Sequence, residues 1–239
     1  MEIKYHHFSN VDSTNSFAKR ELNSFSDDRW TAISADTQTK GRGQNDSDWV
    51  DSPNDSLLMT IISPQIKWDN SKIINVHMSA SLAIMNFLVD NGFNARLKWP
   101  NDIYIGSGKI AGVLSEASWQ GDFCNRFFFG LGMNVRNAPN GYSFLGSKYL
   151  PEEYRIPLAE VIVNQIMMEK KDIRLIYEKS LFHWDIHCDW KDLSTGELFR
   201  ARTTGVCGDG RLELTLLSGE VRIFANKEVM FLNSNKNFL

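Results

Sequence analysis

The sequence predicts an α+β fold, a mixed and mainly antiparallel sheet with helices, followed by a small C-terminal β-barrel of short strands. Three observations lead there. Residues 103–105 and 110–118 are apolar runs separated by Gly106-Ser107-Gly108, the pattern of a hairpin. Between Asn70 and Asn91, Ile74, Met78, Leu82, Met85 and Leu88 recur every three or four residues, which is the period of a helix. From about Glu197 the chain changes to brief strands, with Leu212, Leu214 and Leu216 alternating between the turns Gly208-Asp209-Gly210 and Ser218-Gly219. The expected division is 1–190 for a large first domain and 191–239 for the small barrel.

A chain of 239 residues, 42% hydrophobic and 23% charged, is long enough for one large core and a satellite. A net charge of -3 argues against the broad basic field of a general nucleic-acid binder but leaves room for a local basic pocket, so DNA is not an expected partner. The opening MEIKYHHFSN has no apolar core of signal-peptide length, and no run approaches the roughly 20 apolar residues that cross a bilayer. The expected location is the cytoplasm, without a membrane partner. Cys124, Cys188 and Cys207 are widely spaced and form no CxxC pair, which predicts reduced, structural thiols and no zinc site. Nothing pairs His6, His7 or His77 as metal ligands, and His77 reads as structural or solvated.

In chain order, a strand at 3–8 leads to NVDSTN, where Asp12 or Ser13 caps a helix carrying Phe17, Ala18, Glu21 and Leu22. Ser13, Thr14 and Asn15 bring hydroxyls and an amide to this helix start. A buried strand at 30–36 empties into TQTKGRGQNDSDW, residues 37–49. Gly41 and Gly43 flank Arg42, so backbone N–H groups can approach an anion while the guanidinium offers a two-pronged donor. The loop lacks the GxxxxGK spacing of a P-loop. A strand at 57–63 ends at Pro64, and Asn70 or Ser71 caps the long helix, which Gly92 stops. In KWPND, Pro100 pushes Trp99 toward extended geometry, so Asn101 and Asp102 leave the element in a set direction. Lys109 sits at the mouth of the hairpin, where an ammonium can meet an anion, and Gly112 leaves room for a ligand against the backbone. Residues 126–134 read as a buried strand and 139–151 as a loop. Pro157 starts a helix with Val161, Ile162, Ile166 and Met167, and a second helix carries Ile173, Ile176, Tyr177, Ser180, Leu181 and Trp184. The strands 198–207, 211–217 and 220–225 complete the chain.

KWPND followed by a short turn and GKIAGVLSE is similar to the signature of the biotin-protein ligases. Ser13-Thr14-Asn15 resembles their STN motif, and Gly41-Arg42-Gly43 with Trp49 resembles their glycine- and arginine-rich loop. The resemblance runs from Ser13 to the last strands. It implies a catalytic domain like that of class II aminoacyl-tRNA synthetases, a C-terminal SH3-like barrel, and a monofunctional enzyme without the repressor domain that binds DNA in some relatives. It further implies that biotin and ATP, with Mg²⁺, give biotinyl-5'-adenylate, and that a lysine of a biotin carboxyl carrier protein or domain then takes the acyl group. On this resemblance Ser13, Thr14, Asn15, Gln38, Gly41, Arg42, Lys109 and Gly112 are expected at biotin. Gly43, Gln44, Trp49, Lys98, Asn101 and Asn134 are expected at the nucleotide, and no residue is expected to form a standing metal site. Lys109 is assigned to the junction of carboxylate and α-phosphate, Arg42 to loop closure, Lys98 to the phosphates, and Asp102 to orienting or deprotonating the incoming lysine. Many relatives carry basic residues where this chain has Gln44, Asn45, Asp46, Ser47 and Asp48, which implies weaker hold on ATP or the adenylate. Two other readings stay open, a lipoate ligase or octanoyl transferase of the same fold and a catalytically weakened biotin-binding protein. A free sheet edge leaves monomer and homodimer equally open.

Overall fold

The computed structural model describes residues 2–25, 27–44, 47–168 and 171–232. Seven strands build the main sheet: β1 (Ile3–Val11), β2 (Trp30–Gln38), β3 (Ser56–Ile62), β4 (Ala95–Lys98), β5 (Asp102–Ile105), β6 (Gly108–Gln120) and β7 (Phe123–Asn134). Their order is β1-β2-β3-β7-β6-β5-β4, and every neighbouring pair is antiparallel except β1 with β2. Two faces of this sheet are buried, as Phe127-Phe128-Phe129 makes plain. Phe127 and Phe129 point into the larger core, while Phe128 points the other way with Ile33 and Ile62. The period of two in side-chain direction produces that division.

Helix α1 (Thr14–Arg20) covers the smaller side, placing Ala18 against Ile33, Ile62 and Phe128. Helices α2 (Asn70–Asp90) and α3 (Pro151–Met167) pack against each other on the larger side. Among the described residues α2 alone has the length and apolarity to cross a membrane, and its apolar residues Met78, Leu82, Ile84 and Leu88 are buried in this core. The cap of α2 is Asp69, whose carboxylate accepts from Lys72 N at 2.8 Å, rather than Asn70 or Ser71. Helix α3 begins at Pro151, not Pro157, because Pro151 fits the first helical position and Glu153 accepts from the Leu150 amide. Pro157 lies inside it. Helix α4 (Ile173–Lys179) stops before the apolar stretch that follows, since Leu181 and Phe182 turn back along β4: Phe182 N donates to Leu97 O at 2.7 Å.

The C-terminal part is a second sheet of β8 (His187–Asp192), β9 (Leu198–Val206), β10 (Leu212–Leu216), β11 (Val221–Phe224) and β12 (Val229–Leu232), in the order β11-β10-β9-β8-β12 and antiparallel throughout. Its outer strands β11 and β12 are not paired with each other among the described residues, so hydrogen bonding does not close it into the barrel expected from sequence. Hydrogen bonds from several elements help fix it to the rest of the molecule. Trp99 Nε1 donates to Gly210 O at 3.0 Å, Val206 N donates to buried Glu178 at 2.8 Å, and Asn226 Nδ2 donates to Gln44 Oε1 at 2.7 Å. All three cysteines are free thiols.

Candidate active site

At the start of α1 the backbone of Ser13 is extended and its side chain makes no cap hydrogen bond. Asp12 does not cap either, being held by Arg20 at 2.8 Å. The polar groups of Ser13, Thr14 and Asn15 are therefore buried yet directed to other business. Gln38 Oε1, at the end of β2, accepts from Thr14 N at 2.7 Å and Thr14 Oγ1 at 3.1 Å. Thr60 on β3 places its hydroxyl 2.8 Å from Thr14 Oγ1 and 2.5 Å from Asn15 Oδ1. Two glycines on β7 make room for what lies above them. A Cβ on Gly130 would stand 2.3 Å from Asn15 Oδ1, and one on Gly132 would stand 2.4 Å from the Trp49 ring. A side chain at either position would have to displace Asn15 or the Trp49 ring.

From the other edge, KWPND closes the pocket. Pro100 O accepts from Tyr177 Oη at 2.7 Å and lies 3.0 Å from His77 Nε2, whose Nδ1 is 2.8 Å from Ser115 Oγ. His77 is thus a structural brace beneath the turn, and burial holds its imidazole below its ordinary pKa. Asn101 is committed to the β6 backbone, with Nδ2 donating to Val113 O at 2.6 Å. The β5 and β6 pairing slips between Ile103 and Tyr104, and this bulge turns Lys109 back toward Asp102. The resulting ion pair is 2.7 Å long, and Lys109 Nζ also lies 5.6 Å from the Trp49 ring centroid. Lys98 donates to Tyr104 Oη at 3.3 Å.

These elements enclose a cavity of about 370 Å³. Every residue predicted from sequence lines it except Gly41 and Asn134. Gly41 lies beneath the loop, where its carbonyl accepts from Trp49 N at 3.0 Å and its missing side chain leaves room for the Trp49 carbonyl. Asn134 is buried behind the pocket, its amide donating to Ser143 O at 3.1 Å. The space expected over Gly112 is occupied by Lys109 and Trp49. Arg42 lines the cavity but is drawn to Glu116 Oε1 at 3.2 Å. Asp48 is an exposed residue on the rim; Asp46 lies outside the described residues.

Sequence reasoning missed one wall. Leu181, His183, Trp190, Asn226, Met230 and Phe231 bring α4's trailing segment and the second sheet to the cavity. His183 stacks on Phe231 with centroids 3.5 Å apart, and burial followed by the charge of Lys98 lowers its pKa to about 4. The aromatic density of FHWDIHCDW was the available signal. Among the described residues no group of three or more His, Cys, Asp or Glu is arranged to hold a metal ion.

Residues 8–134 match the model of the biotin/lipoate A/B protein ligase family. The bifunctional ligase/repressor BirA of Bacillus subtilis (strain 168) is 31% identical over 114 residues, 47% of this chain and 34% of that protein. The biotin–acetyl-CoA-carboxylase ligase of Paracoccus denitrificans is 32% identical over 135 residues, 54% of each chain. These matches span between a third and just over half of the relatives' own length. Among solved structures, a biotin protein ligase from Aquifex aeolicus in complex with biotin and ATP aligns with a TM-score of 0.71 at 19% identity, covering 96% of this chain and 98% of that one. A biotin protein ligase-like protein of unknown function from a Silicibacter species aligns at 0.65 and 11% identity, covering 92% and 93%. At such identities the likeness shows the architecture alone. With the family's pattern lying over more than half of its length, the chain belongs to the biotin/lipoate A/B protein ligase family.

Proposed function

We propose that this protein activates biotin with ATP to biotinyl-5'-adenylate and passes the biotinyl group to a lysine of a biotin carboxyl carrier protein or domain. The observation that carries the reading is the meeting of Arg42 and Lys109, from two separate elements, in one cavity whose other end is the polar cradle of Ser13, Thr14, Asn15 and Gln38. A carboxylate and a triphosphate repel each other, so their reaction needs fixed cations at the point where charge accumulates. A biotin carboxylate oxygen attacks the α-phosphorus as the bond to the β-phosphate oxygen breaks and pyrophosphate departs. A neutral lysine amine then attacks the acyl carbon, and AMP leaves. Lys109 serves the first junction, Lys98 the phosphates, and Arg42 the closed loop. Asp102, already paired with Lys109, orients or deprotonates the amine. Asn101 and Asn134 support the nucleotide end through the backbone they hold, and Gly41, Gly43, Gln44 and Trp49 form the loop above it.

Mg²⁺ fits this site as an ion arriving with the nucleotide, because it takes most of its ligands from phosphate and water. Asp48 is the lining carboxylate free of a lysine or arginine partner among the described residues, and would be the protein's contribution. We assign 1–190 to the catalytic domain, of the class II synthetase-like kind, and 191–239 to an SH3-like domain. The carrier is the protein partner, with neither DNA nor membrane, in the cytoplasm.

The cradle favours biotin over lipoate. A ureido ring presents two N–H donors and a carbonyl to the hydroxyls and amides there, whereas a dithiolane offers them no comparable hydrogen bond. Exchange of labelled pyrophosphate into ATP is the test. Exchange that depends on biotin supports the reading; exchange with lipoate instead, or binding of biotin with no exchange, refutes it.

A further inference from the structure

We infer that Glu116 is a positioning residue, a resting partner that holds Arg42 beside β6 until a ligand anion takes the guanidinium over; this deepens the ligase reading of the same pocket and rests on it. The two pocket cations are held differently. Lys109 is paired with Asp102, which itself lines the cavity, whereas Arg42 is paired with Glu116, which does not. Glu116 sits on β6 facing α1. Its Oε2 accepts from Asn15 Nδ2 at 2.9 Å, and its Oε1 accepts from both Lys19 at 2.7 Å and Arg42 at 3.2 Å. One carboxylate thereby touches a residue of the polar cradle and the arginine of the glycine-rich loop.

The geometry makes Arg42 the partner that leaves. Its bond is the longer of the two on Oε1, it uses one nitrogen of the guanidinium on Glu116, and its side chain is 45% exposed. A phosphate offers two oxygens to the same fork, which a single oxygen of Glu116 does not match. Lys19 stays behind at 2.7 Å, so the departure of Arg42 does not leave Glu116 without a counter-charge. The carboxyl's low pKa agrees with this arrangement. Burial pushes it up, but the bonds from Lys19 and Asn15 and the charges of Lys19 and Arg42 outweigh that.

Limited trypsin digestion of the ligand-free full chain reads the pairing directly, because cleavage after Arg42 needs the side chain released. Glu116→Gln keeps an acceptor for Asn15 and removes the charge, so cleavage at this bond should rise about two- to fivefold, the range of an exposed ion pair. Lys19→Gln leaves Arg42 as the remaining cation on Oε1 and should slow the same cleavage. An unchanged rate in the first variant, or a faster one in both, overturns the inference, and if Glu116→Gln does not fold the Lys19→Gln arm decides alone. In biotin-dependent pyrophosphate exchange, Glu116→Gln should lower the apparent KM for ATP with kcat retained; a fall in kcat at constant KM marks a structural role and overturns it. Lack of biotin-dependent exchange in the unaltered protein, with the two cleavage rates shifting as stated, sinks the ligase reading and leaves the resting pair standing.

Discussion

Lys109 and Asp102 face each other at 2.7 Å across a bulge, so each holds the other in place. Replacing Lys109 with Ala should abolish biotin-dependent pyrophosphate exchange while circular dichroism and the melting profile remain those of a folded protein. Gly132→Ala would drive a methyl group into the Trp49 ring, and the expected outcome is a loss of at least tenfold in kcat/KM for ATP with little change in fold, measured by the same exchange. At this scale the sequence was informative where charge interrupts apolar runs, as at Lys98, Asp102 and Lys109. It was silent on pairings across 70 or more residues: nothing local to Glu116 announces Arg42, and nothing in GLGMN says that its glycines make way for Asn15 and Trp49.

Helix α2 contributes to the pocket through His77, which braces the KWPND turn together with Tyr177 from α4. His77→Ala would leave Ser115 Oγ without this partner and Pro100 O with one donor fewer. The expected cost is about 1–3 kcal/mol in chemical denaturation, with kcat in the exchange assay falling more than the KM for biotin. Long elements were legible because their period repeats: α2, β2, β3, β6 and β7 all lie within a few residues of expectation. The strands β4, β8 and β12 were not, since four to six residues carry too few repeats of a two-residue period to stand out. Helix α3 was placed late because either of two prolines, Pro151 or Pro157, suits a first turn, and only the Glu153 contact decides between them.

For the molecule as a whole, the second sheet is a wall of the cavity rather than an appendage, held by Trp99, Glu178 and Asn226. Trp99→Phe removes the bond to Gly210 O while keeping most of the ring, and should cost about 1 kcal/mol and raise the KM for ATP, read by melting and by exchange kinetics. Acid should act on the same junction. His77 and His183 are both held below the ordinary value of 6.5, His183 at about 4, so between those limits the unfolded chain binds protons that the folded one does not. Their contribution is intact above pH 6.5 and is lost as the pH falls toward 4. The melting temperature should drop over that interval, and His183→Gln should flatten the slope. The position of Trp49, pressed over Gly112 and Gly132 with Lys109 beside it, has one more consequence. An indole in the wall of the cavity is a built-in optical reporter: vitamin or nucleotide entering beside it should alter its fluorescence, and that change should be missing from a Trp49→Phe protein that keeps the other six tryptophans.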